Sequence, residues 1–181
     1  NYGYGLNRHG VKKGSFVGIY SDNCPVWVHT IDASCLFGII IVSIYDTLAQ
    51  NALSFIVRHS QMETIIVSKK NIEKLLTSLE AEKENVRLVI SIDDDVDSSF
   101  HDRFAAIGIE MLTFNQICDE GKQYPIEYPE INPEDIHYIC YSSGTTGDPK
   151  GVIISHRASV SNTYGPARFI PMDENTRYLS F

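Results

Sequence analysis

Six consecutive residues, Ile39–Ile44 (IIIVSI), are apolar except for Ser43, and five of them are β-branched. A run of this kind suits an extended strand and offers no polar face. It reads as a strand covered on both sides, which is the hallmark of a parallel sheet between two layers of helices. The runs Ser15–Ser21 (SFVGIYS), Thr64–Ser68 (TIIVS) and Arg87–Ile92 (RLVISI) read the same way. Helix-period segments lie between them. Val26–Phe37 follows Pro25, which suits a first helical turn. Ala52, Phe55, Ile56 and His59 fall on one helical face, as do Ile72, Leu75, Leu76 and Leu79, with Asn71 expected as N-cap. A shorter strand and helix are expected over "MLTF" and "NQICDEG". Strands alternating with helices in this order predict an α/β fold, a largely parallel sheet flanked by helices.

Tyr124–Asp135 (YPIEYPEINPED) carries three prolines and reads as an extended connector. It leads into an apolar strand, Ile136–Ser143 (IHYICYSS), and then into Tyr141–Gly151, "YSSGTTGDPKG". The glycine-rich stretch thus begins at the carboxyl end of a strand, where open α/β sheets place their ligands. "GVIIS" follows as a second strand, and a helix is expected from near His156.

Glycines allow a backbone to approach a ligand closely, and successive N–H groups in such a turn form an anion-binding nest. The hydroxyls of Ser142, Ser143, Thr145 and Thr146 add donors, and Lys150 adds a positive point charge. The combination suits a polyphosphate. Hydrogen bonds to charged groups contribute about 1.5–3 kcal/mol each, so a few would seat one. The P-loop of nucleotide triphosphatases does not fit. With Gly144 first, its second glycine would fall on Pro149 and its Ser/Thr on Gly151, and a strand follows in place of a helix. A loosely held Gly/Ser hairpin is disfavoured by the apolar strand on each side.

The stretch resembles the signature phosphate loop of adenylate-forming enzymes: acyl-CoA synthetases, luciferases and peptide-synthetase adenylation domains. Other segments resemble long-chain fatty acyl-CoA synthetases in particular. They are "IYSDNCPVW" (Ile19–Trp27), "SIYDTL" (Ser43–Leu48), "FIVRHSQ" (Phe55–Gln61) and the closing "YLSF" (Tyr178–Phe181). Val26, Ala49 and Gln61 depart from that pattern. The resemblance implies that residues 1–181 are part of an N-terminal AMP-binding domain whose C-terminal domain lies outside this chain. It implies two reactions. A fatty carboxylate attacks the α-phosphorus of Mg-ATP, and the thiol of coenzyme A then displaces AMP. It assigns the phosphates to Ser142, Ser143, Gly144, Thr145, Thr146, Gly147 and Lys150, and assigns no catalytic residue or Mg2+ ligand here. It also implies peripheral association with the cytosolic face of the endoplasmic reticulum or another organelle. Two alternatives stay open: a short-chain acyl or amino-acid adenylating enzyme, and a truncated non-catalytic nucleotide-binding protein.

Composition excludes some classes. The formal net charge is −8, with no basic stripe of the kind nucleic-acid binders carry. The apolar run Cys35–Tyr45 is far short of the ~20 residues a spanning helix needs and contains Gly38. Cys24, Cys35, Cys118 and Cys140 show no paired or zinc-type spacing, so reduced, mostly buried thiols of an intracellular protein are expected. Asp93, Asp95 and Asp97 alternate, but Ser98 and Phe104 stand where a calcium loop needs Gly and Glu, so a solvated acidic loop is expected. His156 is expected to cap or pack a helix. The chain starts at Asn1 and ends on apolar "RYLSF", as expected of an excerpt that would be inactive alone.

Overall fold

The computed structural model describes residues 1–45, 50–81, 85–142, 149–170 and 173–177. Seven strands form one sheet: β1 (Phe16–Tyr20), β2 (Ile40–Ile44), β3 (Thr64–Val67), β4 (Leu88–Ser91), β5 (Glu110–Thr113), β6 (Ile136–Ser142) and β7 (Lys150–Ser155). Their spatial order is β5-β4-β3-β1-β2-β6-β7. Every neighbouring pair is parallel except β6 and β7, which are antiparallel. The helices are α1 (Tyr2–Arg8), α2 (Pro25–Phe37), α3 (Gln50–Ser60), α4 (Ile72–Ala81), α5 (Ser98–Ala106), α6 (Phe114–Gly121) and α7 (His156–Phe169).

Two apolar layers sandwich the sheet. Ile40, Val42 and Ile44 of β2 pack with α3, α4 and α5, while Ile39 and Ile41 pack with α1, α2 and α6. This alternation across a fully buried strand is what the β-branched run requires, since a strand sends successive side chains to opposite faces. Pro25 opens α2, and Gly38 ends it in the left-handed conformation at φ 67°. A residue there needs positive φ, which glycine adopts without a Cβ penalty. The turn redirects the chain straight into β2.

The strands and the long helices fall where the sequence places them, within one or two residues. Three details differ. Asn71 does not cap α4. It ends a 3₁₀ turn (Lys69–Asn71), and its amide donates to Ser68 Oγ at 3.1 Å and to the Tyr20 carbonyl at 3.4 Å. The acids after β4 are more engaged than a solvated loop. Asp93 accepts from the Lys69 N–H at 2.7 Å, Asp95 accepts from Lys69 Nζ at 2.6 Å, and Asp97 caps α5 through the Ser99 N–H at 2.8 Å. The four thiols are free as expected, yet none is buried, and Cys35 is exposed.

The sequence reading marked neither α1 nor α5. In α5, Phe104 is completely buried, and Asp97 with Phe100 and Phe104 was the available signal. In α1, Gly3 and Gly5 argue against a helix by propensity. Packing explains why it forms. A Cβ on Gly5 would stand 1.9 Å from the Ile117 carbonyl oxygen of α6, and one on Gly121 would stand 2.0 Å from the Asn1 carbonyl oxygen. The two helices cross backbone to backbone, and only glycine fits on either side. Overpacking of this kind costs about 1–3 kcal/mol. Gly5→Ala is therefore expected to destabilise the protein by that amount despite alanine's better helix propensity. Urea unfolding monitored by circular dichroism checks this, and a stabilised variant would contradict the crossing.

Candidate functional site

β6 emerges at the carboxyl end of the parallel sheet, beside β2, and β7 returns against it. Ser142, the last residue of β6, pairs with Lys150, the first of β7, and Ser142 Oγ donates to the Lys150 carbonyl at 3.5 Å. The hairpin thus joins both ends of residues 143–149 at one point of the sheet. Ser143, Gly144, Thr145, Thr146 and Gly147 lie outside the described residues. Of the expected phosphate ligands, Ser142 and Lys150 are described, and both are exposed. No ion pair with another described residue engages the Lys150 ammonium.

The strand beneath is tightly held. Ile41, Val42 and Ser43 of β2 register with Tyr138, Ile139 and Cys140 of β6. Tyr141, one residue before the hairpin's closing pair, is buried, and its hydroxyl lies 2.7 Å from His59 Nδ1 of α3. Burial pushes the Tyr141 phenol above its ordinary value, so it stays protonated. The His59 ring is itself stacked on Phe55. The helix face that the sequence marked with Ala52, Phe55, Ile56 and His59 therefore anchors the strand that carries the loop.

On the α2 side of β2 and β6 lies a groove of about 770 Å³. Trp27, Tyr45 and Tyr138 provide aromatic walls, and Asp22, Asn23 and Ser43 provide polar edges. The Asp22 carboxylate is held by Lys70 at 2.5 Å. Trp27 Nε1 is buried with no hydrogen-bond partner. A second cavity, of about 550 Å³, lies at the opposite, amino end of the strands. Its charges are mutually paired, His9 with Glu110 and Arg87 with Glu63, which suits a structural role. Of the departures from the family pattern, Val26 is buried in the core, and Gln61 ends α3 at φ 57° with its side chain bonded to Asn85 and to the Arg58 carbonyl. Ala49 lies outside the described residues, as do the DTL of "YDTL" and the closing "YLSF".

His156 packs, as expected, at the first position of α7, but its partner was not readable. Its ring stacks on His137 of β6 with centroids 4.5 Å apart. His137 Nδ1 lies 2.8 Å from Ser159 Oγ, and its Nε2 lies 3.7 Å from Cys35 Sγ. Burial, then the neighbouring His156, lowers His137 to about 4, and burial also lowers His156. Burial, then Asp32, pushes the Cys35 thiol up. No local pattern along the chain marks this grouping, because Cys35 is 102 residues from His137 and farther still from His156.

Comparison with known proteins bears on the family and the fold. All of residues 1–181 match the family described as AMP-binding enzyme. The chain belongs to that family. Curated relatives are long-chain acyl-CoA synthetases. Peroxisomal long chain acyl-CoA synthetase 6 of Arabidopsis thaliana is 32% identical over 99% of this chain and 25% of its own length. Long-chain-fatty-acid–CoA ligase 1 of Homo sapiens is 33% identical over 89% of the chain and 23% of its own. The chain thus spans about a quarter of the length of the curated relatives it matches. Among solved structures, a long-chain-fatty-acid-CoA ligase (FadD1) from Archaeoglobus fulgidus superposes with a TM-score of 0.75 at 28% identity, over 92% of this chain and 30% of its own. The adenylation domain of a carboxylic acid reductase from Segniliparus rugosus, in complex with AMP, gives 0.77 at 20% identity over 98% of this chain and 30% of its own, a likeness of fold.

Two outcomes follow from this geometry. Tyr141→Phe removes one hydrogen bond and leaves His59 Nδ1 without its partner, which should cost about 1 kcal/mol. A lower urea midpoint at unchanged slope is the expected reading, and an unchanged midpoint would show that the bond contributes nothing. The depressed His137 fixes a pH dependence. The unfolded imidazole takes up its proton near the ordinary value of about 6.5, while the folded one resists until about 4. Stability is therefore complete above pH 6.5 and is lost as the pH falls towards 4. Thermal unfolding in metal-free buffer should show a smaller loss over this window in His137→Gln than in the parent protein.

Proposed function

We propose that this chain is part of the adenylate-forming domain of an ATP-dependent long-chain fatty acid–CoA ligase. The observation that carries the reading is the hairpin: a loop rich in glycine and hydroxyl groups, closed by Ser142 and Lys150, at the carboxyl end of a parallel sheet. The identity of about one third to long-chain acyl-CoA synthetases supports the substrate class. Substrates on this reading are a fatty acid, Mg-ATP and coenzyme A. The fatty carboxylate attacks the α-phosphorus, its oxygen forms the new P–O bond, and pyrophosphate leaves. The thiol of coenzyme A then forms the thioester and releases AMP.

In the first step the protein's contribution is positioning and charge stabilisation. Pyrophosphate is the leaving group, so a loop that grips the β- and γ-phosphates serves both binding and departure. That grip belongs to the loop from Ser142 to Gly147, including Ser143, Gly144, Thr145 and Thr146, together with the Lys150 ammonium. On this reading the metal enters with ATP as substrate. The groove beside β6 provides aromatic and polar surface next to the strand that carries the loop. Val152 and Ile153 of β7 and Val160, Tyr164 and Phe169 of α7 are exposed, and on this reading they are the face on which the rest of the domain packs. Association with an organelle membrane would follow from the family and from segments elsewhere. No helix among the described residues is long and apolar enough to cross one.

Acid-dependent ATP–pyrophosphate exchange by the complete protein tests the reading, with palmitate, acetate and mixed amino acids run side by side. Exchange with palmitate is the expected result. Lys150→Ala removes a charged hydrogen-bond donor, and a loss of about tenfold to hundredfold in kcat/KM for ATP follows from its worth of about 1.5–3 kcal/mol. Unchanged kcat and KM would refute the lysine's role. Exchange with acetate or amino acids alone would keep the family and discard the substrate, and no exchange with any acid would leave a nucleotide-binding protein without catalysis.

A further inference from the structure

The grouping of Cys35, His137 and His156 is absent from the family reading, and it joins three separate elements. Cys35 sits in the last turn of α2, His137 near the start of β6, and His156 at the first residue of α7. One donor atom from each of the three lies within 4.8 Å of the others, the only such group of three or more potential ligands among the described residues. We propose that these three side chains form a binding site for a single borderline-soft divalent cation, zinc being the natural occupant.

The chemistry of the donors selects the ion. One thiol and two imidazoles favour Zn2+ and its neighbours, and they offer none of the oxygen ligands that Mg2+ and Ca2+ require. The spacing fits with little adjustment. Metal–nitrogen bonds of about 2.0–2.1 Å and metal–sulfur bonds of about 2.3 Å at tetrahedral angles put donors about 3.3–3.6 Å apart. Cys35 Sγ and His137 Nε2 are already at 3.7 Å. Bringing the third donor in requires a contraction of about 1 Å, within reach of side-chain rotation in a half-buried residue. A second observation points to a ligand independently: His156 Nε2 is buried and has no hydrogen-bond partner among the described residues. Buried ring nitrogens are normally paired, and a metal would pair this one.

The surroundings suit such a site. Ser159 Oγ lies 2.8 Å from His137 Nδ1. The tautomer that donates from Nδ1 to that hydroxyl leaves the Nε2 lone pair facing Cys35, an arrangement typical of the second ligand layer around zinc. A cavity of about 470 Å³ is lined by Cys35, His156 and Arg157 on one side and by Asn132 and Pro133 on the other, which gives an ion a route in and leaves room for water as fourth ligand. Of the two carboxylates that act on the group, Asp32 lies on the helix of Cys35, and Asp135 is held by Lys13 at 2.8 Å and by the Asn132 N–H at 2.9 Å. Binding would staple α2 and α7 to the amino-terminal part of β6, the strand that leads into the glycine-rich hairpin. On binding, the Cys35 thiol gives up its proton to solvent and the sulfur forms the metal bond; no oxidant or reductant takes part.

The complete protein, stripped with a chelator and returned to metal-free buffer at neutral pH, is titrated with zinc alone and with cobalt alone. One zinc per chain retained through gel filtration is expected, with a dissociation constant that rises at least tenfold in both Cys35→Ser and His156→Gln. Cobalt should produce the thiolate charge-transfer band and the visible bands of a tetrahedral site, and Cys35→Ser should lose the first. Cys35 is exposed at a helix end, so its serine variant tests the site without disturbing the core. Failure to saturate with zinc would overturn the proposal. So would zinc binding unchanged in both variants, or cobalt bound without the thiolate band. These readouts do not depend on catalysis. Pyrophosphate exchange on the same samples separates a failure of this site from a failure of the ligase reading.

Discussion

The pairing of β6 with β2 on one side and β7 on the other is the constraint on which the candidate site depends. β6 is parallel to β2, so its carboxyl end opens on the same side of the sheet as those of β1 and β2. β7 is antiparallel to β6, so the chain returns to that point after seven residues. Ser142 and Lys150 pair at the end of one ladder, and the residue that closes it begins a strand, not a helix. That separates this arrangement from phosphate loops that open a helix and use its dipole. Fixed charge must then come from a side chain, and Lys150 sits where the ladder closes.

Several of the described acids near the ends of the strands are paired with lysines. Asp22 is bound by Lys70, Asp95 by Lys69 and Asp135 by Lys13. Lys69 holds Asp95 below its usual range through a hydrogen bond and its charge. With 23 acidic residues against 15 basic ones, an anionic ligand meets a net repulsive protein. Among the described residues these acids are paired and the Lys150 ammonium is not, which lessens that repulsion locally. The same bonds brace the ends of the strands.

Much of this was legible in the chain. The β-branched runs fixed the strands because an extended segment buried on both faces has no room for polar residues. The 3.6-residue spacing fixed α3 and α4 because their apolar stripes face one sheet. The hairpin was legible because two apolar strands flank an unmistakable turn composition. What failed did so for identifiable reasons. Asn71 looked like a cap but donates to Tyr20, because the preceding 3₁₀ turn satisfies the helix start instead. Asp97 read as one acid of a loop, and only its bond to Ser99 shows that it begins α5. The glycines of α1 argued against a helix, and the backbone contact with α6 overrode propensity.

The sequence by itself determined the layered α/β architecture, the place of the glycine-rich loop on it and the family to which that loop belongs. Those properties are written in periodicity and in one contiguous motif, both of which are local along the chain. Tertiary structure alone decided that His59 holds Tyr141, that Gly5 and Gly121 meet, and that Cys35, His137 and His156 converge. Each of these brings together elements that lie far apart along the chain. Only sheet order and helix crossing set which distant residues become neighbours, and a single sequence carries no local signal of either.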